Sequence, residues 1–303
     1  MIGRDKLSHL PERFPYSCQW EITCRCNLRC VMCYTDCYNH PGAIRQELNT
    51  TEILRIMDEL AMAGTLELCL TGGEPLARPD FFQLYEHAIR SGFLVTVFSN
   101  GTLITEAHAN RFAALPPQRI EISLHGMTRE TFELVTKGQG SYDRCFQAIG
   151  FLLDRRIPLV LKSTALTLNQ REILDIKRYV ESLGTVKYKL GEEMRPGLDG
   201  GGGPFQYALS KQDLVDLNRR DPDLWRDARR HDAVEPPPCR SGMQRFHIDA
   251  YGQLQLCSSN RRQSYDLREG SFRIGFYEAL PAFACDWNAP QEPALIQPTM
   301  HYA

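Results

Sequence analysis

The chain has 303 residues, of which 43% are hydrophobic and 24% charged, the ordinary composition of a soluble globular protein. Its formal net charge of −2 gives no general attraction to nucleic acid or to an anionic membrane, so we expect neither as a partner. No run approaches the roughly 20 apolar residues that a membrane span needs, and residues 1–13 lack the apolar core of a secretion signal. Eleven cysteines without such a signal favour metal binding over disulfides and predict a cytoplasmic protein.

Short apolar runs alternate with amphipathic helical stretches between about residues 18 and 190. The predicted strands are residues 19–23, 66–70, 94–98, 119–124, 159–164 and 186–190. Helical spacing of apolar residues predicts a helix over 51–63, and Asn169 with Glu172 indicates a capping pair for a helix that ends near Leu183. Six strands alternating with helices predict an α/β fold, a partial (β/α)6 TIM-like barrel whose working groups lie at the carboxyl ends of the strands.

The pattern changes after the sixth strand. Gly197–Pro204 contains five glycines and predicts a loop or lid, and Ser210 is a candidate cap for the helix that follows. Residues 235–238, with three consecutive prolines, indicate a stiff linker. Beyond it, alternating residues in 246–250 and 253–257 predict a β-hairpin that turns at Tyr251 and Gly252.

These patterns predict five segments. They are an N-terminal extension (1–17), the barrel (18–196), a glycine-rich and helical connector (197–235), a small C-terminal domain that contains the hairpin (236–289), and a tail (290–303).

Cys26, Cys30 and Cys33 form a C-x3-C-x2-C motif directly after the first predicted strand. Three thiolates at this spacing could hold three irons of a four-iron cluster and leave the fourth iron open for chemistry. Structural zinc, a disulfide and chance are the alternatives at this point. Cys37 also offers a second frame, Cys30-x2-Cys33-x3-Cys37.

A second motif, Thr71-Gly72-Gly73-Glu74-Pro75, follows the second predicted strand. Together with the cysteines it resembles the radical S-adenosylmethionine (SAM) superfamily, in which a cluster site and a GGEP loop occur in this order and separation. The resemblance implies that Cys26, Cys30 and Cys33 hold a [4Fe–4S] cluster whose open iron chelates SAM. It also implies that one electron cleaves SAM to a 5′-deoxyadenosyl radical. The loop of Gly72, Gly73, Glu74 and Pro75 is implied to bind the methionine amino group, with Glu74 and Pro75 fixing the shape of the loop.

Further polar residues follow later strands. Ser99 and Asn100 resemble the superfamily's element near the bound nucleoside. Ser123 and His125 resemble its element near the SAM ribose and carboxylate, with His125 in place of the more common aspartate, and a loop-structuring role for this histidine is an equal alternative. Lys162 ends the fifth strand, where an adenine or carboxylate contact is expected. No residue is assigned as the catalytic group itself.

The C-terminal cysteines Cys239 and Cys257 flank Gly252 in the spacing C-x12-G-x4-C. This resembles the opening half of the auxiliary-cluster region called SPASM, or its shorter form, Twitch. With Cys285 as the remaining cysteine of this region, the resemblance implies a Twitch-like domain that holds one auxiliary [4Fe–4S] cluster on three cysteines and an unidentified fourth ligand. A zinc site or a degenerate domain is the alternative.

Residues 122–132 and 138–144 resemble radical SAM maturases of ribosomally synthesised peptides. The implied reaction is hydrogen abstraction from a peptide, followed by cross-linking, thioether formation, epimerisation or another oxidation. About 25 residues precede the cluster motif, so we expect a peptide substrate to be held by a separate leader-peptide recognition protein or by the barrel face itself. A reductant such as flavodoxin or ferredoxin is also expected. The alternatives are maturation of a haem- or molybdopterin-type cofactor and, from another class, a non-catalytic iron–sulfur electron carrier, which would have no need of a SAM-binding loop.

Overall fold

A computed structural model describes residues 11–192, 194–233 and 239–285 of the protein. The predicted linker at 235–238 and the predicted tail at 290–303 lie outside these ranges. Within them, no helix combines the length and apolar character needed to cross a membrane.

The described part of the chain contains the following strands and helices, each numbered in chain order. The strands are β1 (Ser17–Glu21), β2 (Glu67–Thr71), β3 (Leu94–Ser99), β4 (Arg119–Ser123), β5 (Leu159–Thr164), β6 (Lys187–Gly191), β7 (Arg245–Ile248), β8 (Gln253–Gln255) and β9 (Tyr265–Asp266). The helices are α1 (Pro41–Ile44), α2 (Thr50–Met62), α3 (Phe81–Arg90), α4 (Glu106–Ala114), α5 (Arg129–Thr136), α6 (Ser141–Asp154), α7 (Ile173–Ser182), α8 (Lys211–Arg219), α9 (Pro222–Ala233) and α10 (Phe272–Ile274). The α/β class is confirmed, and each of the six predicted strands is present with ends within two residues of the predicted ones.

Two predicted helix starts have different outcomes. Ser210 caps α8 as predicted, since its Oγ accepts a hydrogen bond from the Asp213 backbone amide at 3.1 Å. The predicted capping pair of Asn169 and Glu172 is wrong, because α7 begins at Ile173 and has no side-chain cap. Asn169 instead donates from Nδ2 to the backbone carbonyls of His125 (3.0 Å) and Thr164 (2.9 Å).

The chain divides into two compact units, and the boundary passes through β3 between Val97 and Phe98. The first unit comprises described residues 11–25, 40–97 and 240–285. In it β1 pairs in parallel with β2 on one side and with β7 on the other, in registers such as Cys18 with Leu68 and Cys18 with Phe246. Buried residues of α2 (Ile53, Ile56, Met57 and Leu60) contribute to its core, so an amphipathic helix covers the sheet.

The C-terminal hairpin belongs to this first unit. β7 and β8 pair antiparallel, and Gly252 adopts φ +85° at the turn, as predicted for a tight hairpin. Asp249 fixes the turn by accepting hydrogen bonds from the amides of Tyr251 (2.9 Å) and Gln253 (3.0 Å). Because β7 extends the parallel sheet beside β1, the hairpin shares the core of the first strands; the predicted segment boundaries remain predictions.

The second unit comprises described residues 26–39 and 98–239, with the gaps noted above. Here β4, β5 and β6 are parallel and in that order, with Ile122 paired to Leu161 and Leu161 to Tyr188. Ile122 lies near Cys145 of α6, because a Cβ on Gly101 would lie within 3.2–3.6 Å of both side chains. Helix α6 thus lies against this part of β4, while Glu121 of β4 forms ion pairs with Lys162 of β5 and Lys189 of β6.

Candidate cluster and SAM site

Cys26, Cys30 and Cys33 lie in the second unit, in a loop without helix or strand. The loop is tied to the carboxyl end of α5, where backbone carbonyls lack partners within the helix. Arg29 N–H donates to Thr136 O (3.1 Å) and Val31 N–H to Val135 O (2.9 Å). The otherwise irregular cysteine segment is thereby fixed by its own backbone.

The three thiols are half-buried, and the sulfurs of Cys26 and Cys33 act electrostatically on Cys30. Burial raises the pKa of the Cys30 thiol well above its usual value, and the neighbouring Cys33 and Cys26 sulfurs raise it further. Three thiolates held this close oppose one another's ionisation unless cations compensate their charge. The donor set therefore fits a metal-containing group, which would hold all three in the thiolate form.

No three His, Cys, Asp or Glu side chains of the described ranges converge as ligands of one metal ion. A four-iron cluster makes a different demand, because each thiolate binds its own iron. The assignment of Cys26, Cys30 and Cys33 as cluster ligands remains a prediction, which the effect of Cys26 and Cys33 on the Cys30 thiol supports.

Asparagine side chains surround the first cysteine. Asn39 accepts from the Cys26 amide (3.1 Å) and donates to the Cys26 carbonyl (2.9 Å), so it clamps both backbone groups. Asn100, predicted from its position after β3, donates to Asn27 Oδ1 (3.0 Å) and lies with its Nδ2 3.9 Å from Cys26 Sγ. Sequence reasoning found Asn100 but missed Asn39, for which the pattern of spacing gives no indication.

Gly72, Gly73, Glu74 and Pro75 lie in the first unit, against the chain that leaves β1. Gly73 N–H donates to Thr23 O (2.9 Å) and Glu74 N–H to Arg25 O (2.7 Å). A Cβ on Gly72 would lie 2.2 Å from Thr23 O, and one on Gly73 would lie 2.4 Å from Arg25 O. The protein's own backbone thus requires both glycines, whatever the loop binds.

Most of the predicted residues at the ends of β3 and β4 form hydrogen bonds with other groups of the protein. Ser99 is buried and its Oγ accepts from the Gly101 amide at 2.9 Å. Ser123 is half-buried at the end of β4. His125 is buried, and its Nδ1 accepts from Thr164 N–H at 3.5 Å, which places the proton of the neutral ring on Nε2.

Lys162 lies above the Phe98 ring, with Nζ 3.3 Å from the ring centroid and 3.5 Å from Glu121 Oε2. Burial raises the pKa of Glu121, but Lys162 and the bonded Lys189 and Arg119 outweigh burial and lower it overall. Burial, and to a smaller extent the positive charge of Lys162, lowers the pKa of His125 to about 4. Lys162 is therefore part of an internal ion cluster, and its predicted contact with SAM remains a prediction.

The predicted glycine-rich loop contacts the cysteine segment. Leu198 N–H donates to Tyr34 O (2.9 Å), one residue after Cys33, and Gly197 N–H closes a turn onto Gly201 O (2.8 Å). The Arg195 guanidinium lies 5.7 Å from the centroid of the Tyr34 ring. The loop thus packs beside the motif rather than apart from it.

The C-terminal cysteines are distributed over both units. Cys239 is exposed and belongs to the second unit, whereas the half-buried Cys257 and the exposed Cys285 belong to the first. Asn260 Nδ2 donates to Ala284 O (3.1 Å), and Ala284 N–H donates to Gln263 Oε1 (2.7 Å). These bonds bring the chain before Cys285 to the segment after Cys257; the auxiliary site itself remains a prediction.

Comparison with known proteins identifies the class. The sequence profile of the Radical SAM superfamily matches residues 20–180, more than half of the chain and the part that contains both motifs. The chain therefore belongs to the radical SAM superfamily, whose members use a four-iron cluster and SAM.

Individual relatives and solved structures that resemble this chain include peptide-modifying and heme-forming enzymes. The chain is 33% identical over 169 residues to the AdoMet-dependent heme synthase of Methanosarcina barkeri, covering 56% of this chain and 48% of that protein. It is 33% identical over 156 residues to the PqqA peptide cyclase of Rhizobium meliloti, covering 50% and 40%. The chain thus spans about half the length of the curated relatives it matches.

Among solved structures, Streptococcus suis SuiB bound to S-adenosylmethionine matches with a TM-score of 0.70 at 15% identity, over 88% of this chain and 67% of SuiB. At that identity the likeness shows the fold, the partial barrel of the superfamily.

Proposed function

We propose that this protein binds a [4Fe–4S] cluster through Cys26, Cys30 and Cys33 and uses it to cleave SAM reductively. The observation that carries the proposal is the C-x3-C-x2-C motif in a backbone-anchored loop of a chain that belongs to the radical SAM superfamily. When bound, the cluster supplies one electron that splits SAM into methionine and a 5′-deoxyadenosyl radical, which abstracts hydrogen from a substrate.

The chain's own residues would hold and orient the reactants. Gly72 to Pro75 present a loop fixed by two backbone hydrogen bonds, which suits recognition of the methionine end of SAM. Asn100 donates toward Cys26 Sγ, and such an N–H bond favours the thiolate form. Ser99, Ser123, His125 and Lys162 are proposed for the nucleoside and carboxylate, by resemblance to the superfamily.

The proposed substrate is a ribosomally synthesised peptide, which would undergo cross-linking, thioether formation, epimerisation or another oxidation. This is supported by the likeness to a peptide cyclase and by the fold shared with SuiB, which has also been solved with its precursor peptide SuiA. A flavodoxin- or ferredoxin-type reductant, a leader-peptide recognition protein, a cytoplasmic location and an auxiliary cluster on Cys239, Cys257 and Cys285 belong to the same proposal.

A second candidate is maturation of a tetrapyrrole cofactor. It is favoured by the 33% identity to the heme synthase, over a slightly longer stretch than the match to the peptide cyclase. In this case a planar, carboxylate-bearing macrocycle would take the place of the peptide.

The test is anaerobic reconstitution with iron and sulfide, followed by reduction with dithionite in the presence of SAM. Iron per chain and 5′-deoxyadenosine are measured, first alone and then with short precursor peptides or an iron porphyrin added. We expect deoxyadenosine formation that increases with one substrate class, and that class decides between the two candidates. A chain that holds iron but never releases deoxyadenosine with either substrate class would contradict the proposal and favour an electron carrier.

A further inference from the structure

Glu47 is a buried carboxylate of the first unit that binds three consecutive residues at the end of β1. Its side chain is 3% exposed. Oε1 accepts from Thr23 Oγ1 (2.8 Å) and from the Cys24 amide (2.7 Å), and Oε2 lies 3.4 Å from Arg25 Nε. A buried carboxylate with a cation and two donors strongly restricts the backbone to which these groups belong.

Two of these restricted residues, Thr23 and Arg25, bind the GGEP loop through their backbone carbonyl groups. Thr23 O accepts from Gly73 N–H, and Arg25 O accepts from Glu74 N–H. The same carbonyls lie where side chains on Gly72 and Gly73 would be, so a displacement of residues 23–25 by a few tenths of an ångström must move the loop. Arg25 also directly precedes Cys26 in the sequence.

The residue that follows Glu47, Leu48, is bound to the C-terminal hairpin. Leu48 N–H donates to Ala250 O (2.9 Å), and the Leu48 side chain packs where a Cβ on Gly252 would lie. Tyr251, between those residues, receives the Cys24 thiol on its hydroxyl oxygen at 3.3 Å. The hairpin, Glu47 and the end of β1 are therefore linked by direct contacts within one unit.

We propose that Glu47 is a positioning residue for SAM binding: it transmits the rigidity of the C-terminal hairpin to residues 23–25 and thereby sets the geometry of the GGEP loop. The inference rests on the proposed function. It assigns the hairpin a role in SAM affinity that is separate from any iron which the C-terminal cysteines bind.

The experiment measures the SAM dissociation constant of the reconstituted, unreduced protein by anaerobic equilibrium dialysis. The variants are Glu47→Gln and Thr23→Val. Further readouts are iron per chain and, in separate samples reduced with dithionite and frozen, the change in the cluster's EPR signal on SAM addition. Glu47→Gln keeps the shape but removes the charge opposite Arg25, and we expect about tenfold weaker SAM binding, the effect of losing one charge-assisted interaction. Thr23→Val removes the hydroxyl that donates to Glu47 Oε1 and accepts from the Arg25 amide (3.1 Å), and it should weaken SAM binding to a smaller extent.

The matched control is Glu59→Gln, which changes another partly buried carboxylate of the same unit that accepts from Phe272 N–H and does not bind residues 23–25. We expect Glu59→Gln to leave SAM affinity unchanged, even if it lowers the thermal stability of the protein as much as Glu47→Gln does. Iron content near the wild-type value with weakened SAM binding in Glu47→Gln supports positioning.

SAM affinity within twofold of wild type in both Glu47→Gln and Thr23→Val would overturn the inference and leave the proposed function intact. A wild-type protein that holds its cluster but binds no SAM would instead reject the proposed function. If Glu47→Gln fails to fold, Thr23→Val alone decides, because it keeps the carboxylate and its bond to the Cys24 amide.

Discussion

At the scale of single residues, the two possible cysteine frames differ in whether Cys26 or Cys37 is a cluster ligand, and substitutions at these two positions distinguish them. The Cys37 thiol donates to Tyr34 O at 3.9 Å, whereas the Cys26 sulfur raises the pKa of Cys30 and lies 3.9 Å from Asn100 Nδ2. We expect alanine at Cys26, Cys30 or Cys33 to abolish SAM cleavage and to reduce bound iron, because each removes a thiolate that the cluster needs. Cys37→Ala, measured in the same deoxyadenosine and iron assays, should retain both. If Cys37→Ala abolished SAM cleavage and Cys26→Ala retained it, the second frame, with Cys30, Cys33 and Cys37 as ligands, would be established.

His125 makes stability depend on pH. Its pKa is lowered from 6.5 to about 4 by burial and by Lys162, so the folded protein holds the ring neutral while the unfolded chain takes up a proton as the pH falls. The stability contributed by the neutral ring is present above pH 6.5 and is lost as the pH falls toward and through about 4. At about 1.4 kcal/mol per unit, the loss amounts to roughly 3 kcal/mol.

Urea unfolding of the metal-free protein between pH 7 and pH 4 measures this effect. Relative to wild type, His125→Asn should show a free energy of unfolding that declines less steeply over this range, since asparagine takes up no proton. Parallel curves for the two proteins would show that His125 titrates normally and that its burial has little energetic consequence.

At the scale of elements, the GGEP loop and helix α6 give opposite predictions for the same substitution. Gly73→Ala places a methyl group 2.4 Å from Arg25 O and 2.7 Å from Cys24 O, so we expect the free energy of unfolding to fall by about 1–3 kcal/mol. Gly150→Ala lies within α6 with no atom within 4 Å of the new methyl, so it should raise stability by about 0.5–1 kcal/mol. Urea titration of both variants tests the pair, and equal effects would mean that the close approach of the loop to β1 relaxes at little cost.

The elements themselves were largely predictable, because local patterns determine them. Runs of β-branched and aliphatic residues specified the six strands, and Tyr251-Gly252 between alternating residues specified the hairpin. Prediction failed where a partner distant in sequence competes for a polar side chain. Asn169 has the spacing of a cap but bonds to the His125 and Thr164 carbonyls, and its supposed partner Glu172 accepts from the Met127 and Thr128 amides.

The candidate site likewise contains residues that the sequence predicts and residues that only the fold reveals. Cysteine and glycine motifs are visible because their chemistry demands particular residue types at fixed spacing. Asn39 and Glu47 are ordinary polar residues in the sequence, and their importance arises only when folding brings them to Cys26 and to residues 23–25. Likewise, the parallel pairing of β7 with β1 joins segments more than 200 residues apart, which no local pattern encodes.

At the scale of the whole molecule, the superfamily profile ends at residue 180, yet the first unit is completed by residues 240–285. Two roles are therefore open to the C-terminal region: structural support of β1, which the structure shows, and an auxiliary cluster, which is proposed. The two roles predict different outcomes for the cysteines, because a structural hairpin does not need Cys239, Cys257 or Cys285.

With an auxiliary cluster, the wild-type protein should bind about eight irons, and alanine at Cys239 or Cys257 should reduce the count toward about four while SAM cleavage persists. Cys285→Ala should do the same if this exposed thiol is the third ligand. Cys145→Ala is the control, since that thiol is buried against Ser123 O and is expected only to pack. A wild-type count of about four with full cleavage would leave the region its structural role alone, and Glu47 would then be the route by which the hairpin affects SAM.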